Sequence, residues 1–198
     1  MTFVSRETQS LLQRYLELLE KWNARINLVS PRSLVDAGQR HIRDCLQVAE
    51  VASDVSGHWV DLGSGGGLPG LILAIALAEA DLSFTLIESD QRKVAFLRTV
   101  VRELALTNTA VIAERIEHAP PQEADHVSAR ALASLDRLLP MVERHLAPNG
   151  TAWLMKGRSW GAECASARHQ WQFDLEAFPS NTDADAAILK ISGVSAHG

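Results

Sequence analysis

His58-Trp59-Val60-Asp61-Leu62-Gly63-Ser64-Gly65-Gly66-Gly67-Leu68-Pro69-Gly70 is an apolar run that ends in a carboxylate, breaks at once into glycines and leads into the apolar stretch Leu71–Ala78. Glycines permit positive φ and close approach of the backbone to a ligand, and the helix expected over 71–78 would turn its amide-rich N-terminus toward whatever sits on the loop. The spacing predicts strand, loop and helix with a cofactor site at the turn.

Taken literally, Gly65-x-Gly67-x-x-Gly70 satisfies the dinucleotide fingerprint. The fuller spacing, Asp61-x-Gly63-x-Gly65-x-Gly67, is similar to the S-adenosylmethionine loop of methyltransferases. A carboxylate at Asp61 suits ammonium and sulfonium charges and would repel a pyrophosphate at close range. The next apolar run, Ser83–Ile87, ends at Glu88. An acidic side chain about 20 residues beyond the glycines can accept both ribose hydroxyls of an adenosine.

Around this core, short apolar runs at 58–62, 83–87, 110–113, 126–128, 150–155, 172–177 and 186–191 alternate with helical stretches such as 92–106 and 135–146. That alternation predicts an α/β fold, a Rossmann-like methyltransferase sheet of seven mostly parallel strands. Ahead of it, Leu12, Leu16, Leu19, Trp22 and Ile26 recur at helical steps within 5–28, with Ser5 as N-cap, and a second helix is expected over 34–52. Residues 1–57 thus read as an N-terminal helical cap and 58–198 as the methyltransferase domain. Asn149-Gly150 signals a turn before the fifth strand.

The chain has 198 residues, 46% of them hydrophobic, enough for one good core but not for two full-sized domains. No apolar run approaches the ~18 residues of a membrane span, and the N-terminus lacks a signal-peptide core, so a cytoplasmic protein is expected. Cys45 and Cys164 have neither CxxC nor His spacing, and no metal site is expected. A net charge of −5 speaks against nonspecific coating of nucleic acid but leaves room for a local basic face.

No Asn/Asp-Pro-Pro-Tyr/Phe tetrapeptide is present, and neither cysteine follows a proline. The devices for methylating exocyclic amines or cytosine C5 are therefore missing. Guanine N7 needs neither, because its lone pair lies in the ring plane, and transfer to it can rest on proximity and alignment.

The string Lys21-Trp22-Asn23-Ala24-Arg25-Ile26-Asn27-Leu28-Val29-Ser30, followed by Arg40-His41-Ile42-x-Asp44, resembles the N-terminal signature of the bacterial glucose-inhibited division protein B family, the 16S ribosomal RNA guanine-N7 methyltransferases. Asp61–Gly70, Glu88-Ser89, Arg92-Lys93, Phe96-Leu97-Arg98, Arg115-Ile116-Glu117, Ser128-Ala129-Arg130-Ala131 and Lys156-Gly157 match it in order, over about residues 11–157. The resemblance implies that Gly63 and Leu68, with Ser64, Gly65 and Ser89 beside them, line the S-adenosylmethionine loop. It also implies that Ile116 and Glu117 lie against adenine and that Arg130 reaches toward the methionine end or the target base. The substrate it implies is small-subunit ribosomal RNA, free or in the assembling subunit; apart from the resemblance, a monomer is expected. Cys45 departs from the serine usual after Asp44, the 65–67 glycine triplet is richer than in many members, and Asp90 adds an acid.

Ligands of open α/β sheets lie beyond the carboxyl ends of the strands, which places Arg130 and Lys156 on the rim where RNA phosphate or the target guanine would meet them. Arg25, Arg32, Arg40, Arg43, Arg92 and Arg158 are further RNA-facing candidates. Asp44 could stabilise positive charge on the methylated base, so Arg130, Asp44 and Lys156 are the candidate catalytic residues. His41 is read as structural, Trp22 as core, and Trp160, in the glycine-flanked stretch 157–161, as the candidate for stacking on a base. The alternatives are a small-molecule methyltransferase on the same sheet and a non-catalytic nucleotide-binding module.

Overall fold

A computed structural model describes residues 5–29, 31–52 and 54–197. The side chains of 31–39 also lie outside the described set, and with them Arg32; Ser30 lies outside it as well. The elements are α1 (Arg6–Asn23), α2 (Pro31–Val51), β1 (Gly57–Leu62), α3 (Gly70–Ala76), β2 (Leu82–Ile87), α4 (Gln91–Glu103) and β3 (Thr109–Ile112). They continue with β4 (Ala124–Arg130), α5 (Leu135–His145), β5 (Leu146–Lys156), α6 (Trp160–Ala167), β6 (Trp171–Pro179) and β7 (Ala187–Ala196).

The seven strands form one sheet in the order β3-β2-β1-β4-β5-β7-β6. Strands β1 to β5 pair in parallel, and β7 runs antiparallel between β5 and β6. The chain winds outward from β1 through β2 to β3, then returns to pair β4 on the other side of β1. A ligand crevice opens at such a reversal, beyond the strand ends. Register puts Asp61 of β1 beside Leu86 of β2 and Ser128 of β4, so Glu88 and Arg130 emerge from the neighbouring strands on either side of the glycine loop.

Two apolar clusters hold the sheet between helices. One gathers Leu12, Tyr15 and Leu19 of α1, Leu46 and Val48 of α2, Leu71–Ile75 of α3 and Phe96, Leu97 and Val100 of α4 against Trp59, Phe84 and Trp153. The other joins Leu135, Leu138, Leu139 and Val142 of α5 and Cys164 and Ala167 of α6 to Val60, Val127, Leu154 and Leu189. Each fully buried large aliphatic side chain contributes roughly 1.5–3 kcal/mol relative to exposure, so both helix layers are fastened mainly by apolar burial.

Three local readings change. Helix α1 ends at Asn23 rather than 28, because the Asn23 carboxamide oxygen accepts the N–H groups of Leu28 (2.8 Å) and Val29 (2.9 Å) and folds the chain back. Strand β5 begins at Leu146, before the Asn149-Gly150 signal, which is absorbed in a register shift: Ala124 pairs with Leu146 but His126 with Thr151. Gly150 fits there because an added Cβ would stand 2.8 Å from the Ala124 carbonyl. Trp160 opens helix α6 rather than standing in a glycine-flanked stretch, and its half-buried ring packs on the second cluster.

Candidate functional site

At the end of β1 the chain turns through Gly63, Gly65 and Gly67, all at positive φ. Gly67 combines φ +84° with a lack of space, since a Cβ would lie 2.3 Å from a Leu71 methyl. The turn is stitched from within. Ser64 donates its backbone N–H to the Ile87 carbonyl (3.1 Å) and its hydroxyl to the Asp61 carbonyl (3.1 Å), and the Gly67 N–H reaches the Ser64 carbonyl (2.6 Å). From outside, the Tyr15 hydroxyl of α1, fully buried, donates to the Gly66 carbonyl at 2.7 Å.

Two acidic groups frame this turn, and the protein treats them differently. Glu88 is 7% exposed and satisfied by backbone: Oε2 accepts the Gly65 N–H, and Oε1 accepts those of Ser89 and Asp90, each at 2.8 Å. Asp61 is 1% exposed; its Oδ1 accepts the Ser128 hydroxyl at 2.6 Å, and Ser128 in turn accepts the Trp59 indole N–H at 3.0 Å. Its Oδ2 has no hydrogen-bond partner. Burial pushes the Asp61 carboxyl up to about 6, opposed chiefly by the Ser128 hydrogen bond.

Beside the turn lies a cavity of about 370 Å³ lined by Gly63, Glu88, Ser89, Lys93, Ile116, Glu117, Arg130, Leu132 and Met141 among others. Its size is that of a small-molecule site, and half of its lining is charged or polar. Of the expected cofactor residues, Gly63, Glu88, Ser89, Ile116, Glu117 and Arg130 line it together. Asp61 and Ser64 lie buried beneath the turn, Gly65 presents its N–H to Glu88, and half-buried Leu68 packs against the first apolar cluster. Lys93, in the first turn of α4, and Leu132 and Met141 are additional wall residues; of these only Lys93 stood within the family-like string.

Arg130 closes one end of this cavity and also lines a second, of about 220 Å³, between α2 and the β6–β7 loop. Residue 131 is common to both, and Ala131 stands at φ +50°, a conformation that L residues rarely adopt and that concentrates at functional sites. The guanidinium is gripped by one face of α2. It contacts His41 Nδ1 at 2.5 Å, Asp44 Oδ2 at 3.3 Å and Cys45 Sγ at 3.6 Å. Burial first, then the Arg130 charge, lowers His41 to about 4, so the ring is neutral near pH 7 and its Nδ1 accepts from the guanidinium. Burial likewise pushes the Cys45 thiol up to about 12.

Asp44 spends its other oxygen on the hydroxyls of Ser180 (3.4 Å) and Thr182. Gln47 donates to the Pro179 carbonyl (2.7 Å) and accepts the Asn181 N–H (2.8 Å), and Arg40 pairs with Asp183 at 2.9 Å. Arg40, Asp44 and Gln47 therefore form one polar stripe that clasps the β6–β7 loop, a partnership with no local signal in the sequence.

Lys156 departs from expectation. Its ammonium, 9% exposed, lies 2.6 Å from Glu163 Oε2 and 2.7 Å from the Ala133 carbonyl, while the residue lines the second cavity with Arg130 and Asp44. Glu163 also accepts the Leu135 N–H (2.9 Å) and the Ser159 hydroxyl (2.7 Å), which makes Lys156 a clamp between β5, α6 and the loop that walls both cavities. Arg158 and Arg92 are paired with Asp185 and Asp90, whereas Arg25 and Arg43 stand exposed. Among the described residues no cluster of His, Cys, Asp and Glu could hold a metal, and no helix is long and apolar enough to cross a membrane.

A family model described as rRNA small subunit methyltransferase G matches residues 8–187. Curated relatives include a ribosomal RNA small subunit methyltransferase G of Paracoccus denitrificans, 52% identical over 96% of this chain and 97% of its own length. One of Gluconobacter oxydans is 48% identical, covering 97% of both chains. Solved structures of similar fold include a SAM-dependent methyltransferase from Aquifex aeolicus (TM-score 0.62, 14% identity, 81% of this chain and 95% of that one). An RNA methyltransferase from Salinibacter ruber in complex with S-adenosyl-L-homocysteine also matches (TM-score 0.55, 21% identity, 74% and 87%).

Proposed function

The chain belongs to the rRNA small subunit methyltransferase G family, and from that premise we propose that it transfers the methyl group of S-adenosylmethionine to N7 of one guanine in small-subunit ribosomal RNA. The supporting observation is the pair of cavities that meet at Arg130 and Ala131. The larger, with its apolar wall at Ile116 and acceptors at Glu88 and Glu117, fits an adenosine; the smaller is open to an acceptor base. S-adenosylmethionine supplies a methyl carbon activated by its sulfonium.

The N7 lone pair bonds to that carbon as the carbon–sulfur bond breaks with its electrons remaining on sulfur. No proton leaves the guanine, so no general base is required. The protein's contribution is alignment, which can be worth several kcal/mol of barrier, on the order of 7–11 for ideal cases. Glu88 and the glycine turn orient the donor, Arg130 is held rigid by His41, Asp44 and Cys45 at the junction, and Asp44 offsets the positive charge that the base acquires. Lys156 lines the smaller cavity and, through Glu163 and the Ala133 carbonyl, fixes the loop that separates it from the larger. The enzyme works in the cytoplasm, as a monomer, on the small subunit or its assembly intermediates.

The test is transfer of tritium from methyl-labelled S-adenosylmethionine to small-subunit particles lacking the modification, followed by nucleoside analysis. Label in 7-methylguanosine at a single position is expected; absence of transfer by protein that still binds S-adenosylmethionine would sink the reading.

A further inference from the structure

A third cavity, of about 780 Å³, runs between α1 and α4, away from both cavities of the site. Five of the chain's 19 lysines and arginines line it: Arg14, Lys21 and Arg25 on one wall, Arg92 and Arg102 on the other. On a chain of net charge −5 that is a strong local concentration of positive charge. The arrangement follows from two helix stripes. Arg14, Leu18 and Lys21 recur at steps of 4 and 3 on one face of α1, with Arg25 in the turn just past its end, and Arg92, Ala95, Thr99 and Arg102 recur at 3, 4 and 3 on one face of α4. At 1.5 Å per residue Arg14 to Lys21 extends about 10 Å, with Arg25 beyond it, which spans the charges of successive nucleotides.

Between the walls the floor is apolar and accessible. Ala95 is exposed, and Leu18, Trp22 and Ile26 are half-buried. Trp22 packs its edge on Phe96, with centroids 5.8 Å apart, yet leaves part of its ring on the groove. The acids nearby are already engaged. Glu17 lies 3.9 Å from Arg14, Asp90 pairs with Arg92 at 2.8 Å and Glu103 with Arg102 at 3.0 Å. The Arg14 and Arg102 pairs are exposed and weak enough to exchange for a phosphate, whereas the Arg92–Asp90 pair is bidentate and leaves one face of the guanidinium to the groove. Lys21 and Arg25 make no ion pair among the described residues. Cations flanking an aromatic floor are the pattern of single-stranded nucleic-acid grooves. The first turn of α4 stands between groove and site: Arg92 lines the groove and the next residue, Lys93, lines the cofactor cavity.

We propose that the α1–α4 groove carries a single-stranded segment of the substrate RNA, its phosphates on Arg14, Lys21, Arg25, Arg92 and Arg102 and a base against Trp22. This rests on the proposed RNA substrate and adds the surface that holds it. The α1 wall is tested by the triple variant Arg14→Ala/Lys21→Ala/Arg25→Ala, assayed on small-subunit particles lacking the modification. The slope of log affinity against log salt should fall by about 2, at about 0.7 per single-strand phosphate contact. KM for particles should rise about tenfold or more, while turnover at saturating particle and S-adenosylmethionine affinity hold. Arg137→Ala, exposed on α5 across the sheet, should leave all these quantities at wild-type values.

The occupant is identified separately. Because Cys45 and Cys164 are buried, Ala95→Cys places one accessible thiol on the floor, to carry a photo-crosslinker. Crosslinks to small-subunit RNA are the expected result; crosslinks to a ribosomal protein, or none, overturn the proposal, as does an unchanged KM and salt slope in the triple variant. Should wild-type enzyme itself transfer no methyl to the particles, the functional reading fails instead, and the crosslink still reports whether RNA occupies the groove.

Discussion

Asp61 offers a quantitative test of how the site is built. Its carboxyl is buried, one oxygen has no partner, and its pKa rises from 3.8 to about 6 in the fold. A carboxyl whose folded pKa lies above the unfolded one binds its proton more tightly when folded. The associated stability is fully present below about 3.8 and is lost as pH rises through about 6. The full difference is about 3 kcal/mol at 1.36 kcal/mol per pKa unit. Linkage gives a gain of about 1.4 kcal/mol as pH falls from 8 to 5. Asp61→Asn removes the titration. Its amide keeps an acceptor for Ser128 and adds an unpaired donor at a cost of about 1–3 kcal/mol, but that cost does not vary with pH. Urea unfolding of both proteins at half-unit steps from pH 8 to pH 5 isolates the group from every other carboxylate. The wild-type protein should gain about 1.4 kcal/mol on the variant across that range. Curves that run parallel would refute the claim that burial beneath the glycine turn holds this carboxyl above its ordinary range.

Tyr15→Phe keeps the ring but strips the buried Gly66 carbonyl of its donor; a loss of about 1–3 kcal/mol and a weaker S-adenosylmethionine affinity are expected by calorimetry. Gly67→Ala forces a side chain into positive φ at 2.3 Å from Leu71 and should weaken that affinity at least about tenfold, or about 1.4 kcal/mol, read by isothermal titration. Glu163→Ala leaves the Lys156 ammonium enclosed without its carboxylate and should destabilise by about 3–5 kcal/mol in chemical denaturation, with Lys156→Met/Glu163→Met recovering much of it. In the same experiments Lys156→Met should leave the salt dependence of particle binding at the wild-type slope, since its charge is paired with Glu163.

Wherever the deciding interactions are local, the sequence alone was enough. The Asp61–Gly70 stretch encodes its turn because positive φ at Gly67 is a property of one residue and its neighbours, and Glu88 announces itself by standing at the end of an apolar strand. Periodicity likewise found each strand and most helix limits, missing α6, whose short stripe of small residues has little amphipathic contrast. The groupings that only tertiary structure decided join distant residues: Tyr15 to Gly66, Asp44 to Ser180 and Thr182, Lys156 to Glu163 and Ala133. A lysine at a strand end reads the same whether it faces solvent or a half-buried carboxylate. The difference lies in which helix packs over it, and that is set by the burial of two apolar layers across the whole sheet rather than by any motif around residue 156.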